Sequence, residues 1–214
     1  MKTILVTGND TGIGKTKIVS ALVNNLLSNH DGSIQVIKPI ECGYTDINTG
    51  DIKSILEANP SDRVTGNTLF SFKEPQAPLI AAKRENRPFT FDQVIKEINQ
   101  LPSTDWRIIE GAGGIAVPLC KTGKDWSDLA ISLNVDHTLL VVDNRLGTVN
   151  QSRLLYAYAK SKNLEASLFL NEVTPLDEGT RHSNQESLEE LGIPIFAELK
   201  HGESEFIPRS TLVN

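Results

Sequence analysis

Thiol and metal-ligating residues are scarce in this chain. Its 214 residues include two cysteines, Cys42 and Cys120, and four histidines, His30, His137, His182 and His201. Neither cysteine sits in a Cys-x-x-Cys or a Cys/His pair, so no zinc site is expected. The histidines show no ligand spacing and read as surface or helix-end residues, although His201 returns below. Long apolar runs are missing too, and none could span a membrane. The chain enters a strand almost at once, so no secretory leader is expected. A cytoplasmic location follows, with both cysteines as free thiols. Nor is there a surplus of positive charge. Lys and Arg total 21 against 27 Asp and Glu, a net charge of −6. This argues against nucleic acid as the main partner.

What is present concentrates near the N-terminus. Residues 2–16 read KTILVTGNDTGIGKT. An apolar strand runs into a Gly-rich turn that ends in Gly14-Lys15-Thr16 and opens a helix. That is the layout of a phosphate-binding loop. Its backbone N–H groups and the helix N-terminus supply positive potential. Lys15 would reach the outer phosphates and the Thr16 hydroxyl a magnesium ion. The strict pattern asks for Gly five positions before Gly14. Asn9 stands there and Gly8 lies one residue further back, so the loop is one residue longer than usual.

Short apolar runs at 3–6, 34–37, 106–109, 137–142 and 166–170 suit strands buried on both faces. Helices are expected at 15–28, 51–57, 91–100, 127–133, 149–161 and 185–191. Thr90 and Gln93 form a capping box before the third of these. Strands alternating with helices imply crossovers, a mostly parallel central sheet and helices on both sides. The length fits one α/β domain of the P-loop NTPase-like class over residues 1–214. Residues 73–88 are Pro-rich and read as an exposed excursion, and the tail after Glu203 has no clear period.

Ligands of such sheets bind at the carboxyl ends of the strands. After the second strand, Lys38-Pro39 to Gly43 form a stiff loop that could hold Lys38 near the phosphates. Glu110 ends a strand and precedes Gly111-Ala112-Gly113, a plausible magnesium-side acid over a phosphate site. Asp51 opens a helix. Taken singly, each has a plainer reading: a solvated lysine, a Gly-rich turn, and a first-turn acid that favours the helix dipole.

In order, TGNDTGIGKT, IKPIECG, TGD, EGAGG, LGTVNQ and NEVTP resemble the dethiobiotin synthetase family, from Thr7 to about Gly202. The long loop with Asp10 and Thr11 and the Lys38-Pro39 pair are its most specific parts. EGAGG also occurs in related ATP-dependent ligases. The resemblance implies an ATP-dependent cyclo-ligase of biotin biosynthesis. Carbon dioxide would add to one amine of diaminopelargonate, the carbamate would attack the γ-phosphate, and the second amine would close the cyclic urea. It also implies roles. Lys15, Lys38 and Thr11 would be catalytic. Gly12, Ile13, Gly14, Lys15, Thr16 and Lys17 would bind the nucleotide, with Asp51, Glu110, Gly111, Ala112 and Gly113. Asn171, Glu172, Lys200, His201 and Gly202 would surround the adenine. Thr16, Asp51 and Glu110 would hold Mg2+. Cys42 would face the substrate. Gly147, Thr148, Val149 and Asn150 would bind its carboxylate across a homodimer interface.

Some positions depart from the family pattern. Cys42 stands where Ser or Thr is usual, and a thiol is a poor donor. Leu79 and Gln151 replace common histidines, and Lys200 a common proline. Glu41 is unusually acidic and is expected to point to solvent. The competing reading is a partitioning-type switch ATPase of the same fold. Such proteins carry a signature lysine at the position of Asp10, and use a membrane-binding tail or a basic face that is not evident here.

Overall fold

Residues 4–6 and 139–142 are apolar at every position because both faces of their strands are covered. Alternation then sorts them. Ile4, Val6, Leu139 and Val141 pack to one side, and Leu5, Leu140 and Val142 to the other. The computed structural model describes residues 1–44 and 50–212. Its strands are β1 (Lys2–Gly8), β2 (Ile34–Cys42), β3 (Val64–Phe72), β4 (Trp106–Glu110), β5 (His137–Asp143), β6 (Ala166–Asn171) and β7 (Ile195–Leu199). Its helices are α1 (Lys15–Asn29), α2 (Asp51–Ala58), α3 (Pro78–Arg84), α4 (Phe91–Gln100), α5 (Trp126–Ser132), α6 (Thr148–Ser161) and α7 (Glu178–Glu190).

The strands form one seven-stranded sheet in the order β3-β2-β4-β1-β5-β6-β7, and every pairing is parallel. The first strand of the chain therefore lies in the middle. Its end at Val6 pairs with Glu110 and at Gly8 with Val141. Helices α1 and α2 cover one face. Core residues of α4, α5, α6 and α7 cover the other. Trp126 of α5 is fully buried there and donates from Nε1 to the Ala112 carbonyl at 2.9 Å. That bond ties the second face to the glycine turn after β4. The expected capping box is formed: Gln93 N donates to Thr90 Oγ1 at 3.1 Å and Thr90 N to Gln93 Oε1 at 2.7 Å.

Three elements were not expected from the sequence. β3 is an edge strand whose residues are mostly half-exposed, so it shows no apolar run. β7 is short and follows a proline, and it forms the opposite edge. α3 lies inside the Pro-rich segment read as an excursion. Pro78 sits at its first turn, where the missing N–H costs nothing. Ala81 and Ala82 of α3 are buried, which corrects the excursion reading. α7 starts at Glu178, seven residues before the expected 185, under an Asp177 cap. Its first turns are polar and hide the period.

The C-terminal tail belongs to the core. Phe206 meets Phe169 edge-on at 4.9 Å and Phe196 at 5.7 Å between ring centroids. Arg209 donates to the Phe196 carbonyl through its backbone and ion-pairs Glu189 and Glu198. Phe206→Ala should therefore destabilise the fold by about 3 kcal/mol, the cost of a buried Phe truncation. Urea unfolding measures this, and a wild-type midpoint would detach the tail from the core.

Candidate active site

β1 delivers the chain to the loop at Gly8, where a Cβ would lie 2.4 Å from the Val141 carbonyl oxygen. Only glycine allows that approach to β5. The turn then uses left-handed backbone at Gly12 and Gly14, with φ of 75° and 83°. Gly14 caps α1 without a side-chain hydrogen bond, and the first turn of α1 has no acid. Its leading N–H groups thus lack an anionic side-chain partner of their own, as an anion site requires. Lys15 is buried and donates from Nζ to the Asp10 carbonyl at 2.5 Å, folded back over its own loop. Burial, with Lys38 nearby, brings its pKa down to about 8.

Beside this loop stands a charge cluster. Lys38 Nζ lies 2.5 Å from Glu110 Oε1 and 2.7 Å from Asp51 Oδ2. Thr16 donates from Oγ1 to Glu110 Oε1 at 2.8 Å. Lys38 does not sit in a loop, as expected, but within β2. That strand leaves β4 after Ile37 and continues along β3 alone, so Pro39, with no N–H, is tolerated on the side that has no partner strand. Burial lowers the Lys38 pKa, but the Glu110 and Asp51 carboxylates outweigh it and hold the ammonium charged. Burial pushes the Glu110 carboxyl upward, and Lys38 opposes it.

A cavity of about 840 Å³ opens over this cluster. It brings together Thr11, Gly12, Gly14, Lys15, Thr16, Lys38, Cys42, Asp51, Glu110, Ala112 and Gly113, from segments far apart in sequence. Thr49 of the TGD motif lies outside the described residues. Glu110 Oε2 is fully buried and has no hydrogen-bond partner. With Thr16 Oγ1 and the Asp51 carboxylate it could contribute hard oxygen donors of the kind Mg2+ prefers.

Other expected residues lie outside this cavity lining. Asn171 Nδ2 donates to the Ile13 carbonyl at 2.8 Å, which leaves its buried Oδ1 unpartnered. Glu172 spends its carboxylate on Arg181 and on the His201 amide, at 3.3 Å. It thereby joins the loop after β6 to the loop after β7, which carries Lys200, His201 and Gly202. Lys17 is exposed and lines a second, smaller groove between α1 and α2. Gly147, with φ of 97°, caps α6. Thr148, Val149 and Asn150 form its first turn, and Leu146 and Leu154 beside it are largely exposed.

Two features went unread in the sequence. Asn9 Nδ2 donates to Gln151 Oε1 at 2.9 Å and ties the long loop to α6. Glu41 does not point to solvent. It is buried and accepts from the Asp51 amide at 2.8 Å. The available signal was Gly50, a helix start without a side-chain acceptor of its own.

The sheet, loop and lysine pair define a P-loop NTPase-like α/β protein. Solved structures agree at the level of fold. A ParA family ATPase from Chlorobium tepidum aligns with TM-score 0.58 and 17% identity, over 95% of this chain and 86% of that one. The signal recognition particle receptor FtsY from Elizabethkingia anophelis aligns with TM-score 0.60 and 14% identity, over 98% and 60%. A family model described as an AAA domain matches residues 2–204. ATP-dependent dethiobiotin synthetases from Bacillus subtilis subsp. natto and Methanocaldococcus jannaschii are each 33% identical to this chain. The alignments cover 91% and 88% of it, and 85% and 89% of those relatives. The chain belongs to the dethiobiotin synthetase family, a family of ATP-dependent ligases.

Cys42 tests the electrostatics of the cavity. Burial pushes its thiol up to about 11, against the pull of Lys38. At pH 8 about one part in a thousand is then thiolate. Cys120 is shifted the other way: its slight burial works against this, but the Thr122 hydroxyl and amide outweigh it. Iodoacetamide at pH 8 should modify Cys120 long before Cys42, as read by peptide mass spectrometry. Equal rates would show that Cys42 is an activated nucleophile.

Proposed function

We propose that this chain, residues 1–214 acting as one domain, is a dethiobiotin synthetase that closes the ureido ring of dethiobiotin from diaminopelargonate, carbon dioxide and ATP. The observation that carries the reading is the pair of buried lysines, Lys15 and Lys38, at one wall of a cavity large enough for a triphosphate and a small diamine. A carbamate and a γ-phosphate are both anionic and repel each other. Two ammonium groups between them offset that repulsion most where charge develops, in the transition state. The carbamate oxygen attacks the γ-phosphorus and ADP leaves. The second amine then attacks the carbamate carbon, loses a proton and expels phosphate as the ring closes.

Each residue has a task in this scheme. Thr11 and the amides of Gly12 to Thr16 line the phosphates, with Lys17 at the helix start and Gly111, Ala112 and Gly113 facing them. Thr16, Asp51 and Glu110 would hold Mg2+, which neutralises phosphate charge when bound. The free Oδ1 of Asn171 is an acceptor suited to an exocyclic amine of a base. Glu172, through its bond to His201, holds the loop of Lys200 to Gly202 at the other edge. Cys42 contacts the diamine as a neutral thiol. The α6 N-terminus at Gly147 to Asn150 binds the substrate carboxylate of the opposite subunit. The exposed Leu146 and Leu154 next to it support a homodimer contact there. We place the enzyme in the cytoplasm. The switch-ATPase alternative has only the shared fold in its favour, since residue 10 is Asp.

The deciding experiment is ADP release with magnesium, ATP and bicarbonate, with and without diaminopelargonate, followed by mass analysis of the product. Diamine-dependent release with a cyclic urea product is expected. Release without the diamine would move the chain to the switch-ATPase class. In the same assay Lys38→Ala should lower kcat by about 100-fold or more, with a smaller change in ATP affinity. A pure loss of ATP binding would remove Lys38 from the transition state.

A further inference from the structure

Helix α2 begins without a cap of its own. Gly50 at its N-cap has no side chain to offer, and its conformation is ordinary extended backbone, with φ of −69°. The acceptor comes from another strand. Glu41 Oε1 accepts from the Asp51 amide at 2.8 Å, and Oε2 lies 3.4 Å from Thr68 Oγ1 of β3. The packing explains the glycine. A Cβ at residue 50 would stand 3.1 and 3.2 Å from the two Glu41 oxygens, tighter than ordinary contact. A carboxylate at a helix N-terminus is favoured by the macrodipole and by the free N–H groups there. Here that carboxylate is held on the sheet, three residues after Lys38. One edge of β2 thus fixes both partners of the Lys38–Asp51 pair: Lys38 directly, and Asp51 through Glu41.

We infer that Glu41 is a positioning residue for Asp51. It anchors the first residue of α2 so that the Asp51 carboxylate faces Lys38 and the oxygens of Thr16 and Glu110. The inference rests on the proposed reading of Asp51 as a Mg2+ ligand. It goes beyond that reading by giving the orientation of the ligand to a residue outside the donor set. Groups that orient ligands in this way typically contribute 10- to 100-fold in metal affinity.

The test uses Mn2+ as the probe and the full chain with ADP, with free Mn2+ read by electron paramagnetic resonance. Glu41→Ala should weaken Mn2+ binding by about 10- to 100-fold. Glu41→Gln keeps an acceptor oxygen for the Asp51 amide and should recover most of the affinity. Glu41→Met, of similar length but without a strong acceptor, should behave like the alanine variant and replaces it should that variant unfold. Asp51→Asn serves as the reference. If it weakens Mn2+ binding while Glu41→Ala and Glu41→Met do not, the positioning role fails and the ligand reading stands. If Asp51→Asn binds Mn2+ as the wild type does, the ligand reading itself fails. A glutamine variant as weak as alanine would also overturn the proposal, because the charge of Glu41 and not its hydrogen bond would then matter.

Discussion

Glu110 has no solvent exposure, yet it carries an acid at the tip of a central strand. Such a group is stable only if something compensates its charge. Lys38, from the neighbouring strand, does so at 2.5 Å, and Asp51 shares the same ammonium. The rest of the site follows from this. β2 must pass β4 far enough to set Lys38 beside Glu110. β1 must lie next to β4 so that Thr16, at the start of the following helix, reaches the same carboxylate. The central place of β1 in the sheet satisfies both demands. Replacing a buried pair with apolar residues is often neutral or stabilising, whereas removing one partner costs about 3–5 kcal/mol. Stability alone gives little reason to keep this cluster. Chemistry on a charged ligand gives a good one.

The sequence was most readable where one physical signal was strong. β1, β4, β5 and β6 are short, mostly apolar runs buried on both faces, and they lie within a residue or two of where they are expected. The edge strands β3 and β7 lack that signal, one because half its surface stays wet and the other because it is short. The same contrast holds at the site. Lys15, Thr16, Lys38, Asp51 and Glu110 could be gathered from strand tips and the helix starts near them, because parallel α/β sheets bring those ends together. Glu41 could not. Gly50 marks a helix start that needs an acceptor, but nothing marks the acid beside Cys42 as the group that turns inward to supply it. Asn9 and Gln151 likewise stand 142 residues apart, and only the adjacency of β1 and β5 makes them partners.

The helix N-termini fall into two groups by how they are capped. α4, α5 and α7 each have a side-chain cap, from Thr90, Asp125 and Asp177. α1, α2 and α6 each begin at a glycine, and none of the three glycines makes a side-chain cap bond. A side-chain cap contributes about 1 kcal/mol and consumes an N–H group. Leaving it out weakens the helix end but keeps that N–H available to an anion. The uncapped ends of α1 and α6 fall on the segments proposed for the phosphates and for the substrate carboxylate. α2 differs, because Glu41 takes its first N–H from the side. That difference follows from what each helix end must present. On the proposed reading, α1 and α6 offer backbone donors to a ligand, while α2 offers the side chain of its first residue. On that reading the first residue of α2 needs a fixed backbone, and the buried Glu41 carboxylate on β2 supplies the acceptor that Gly50 lacks.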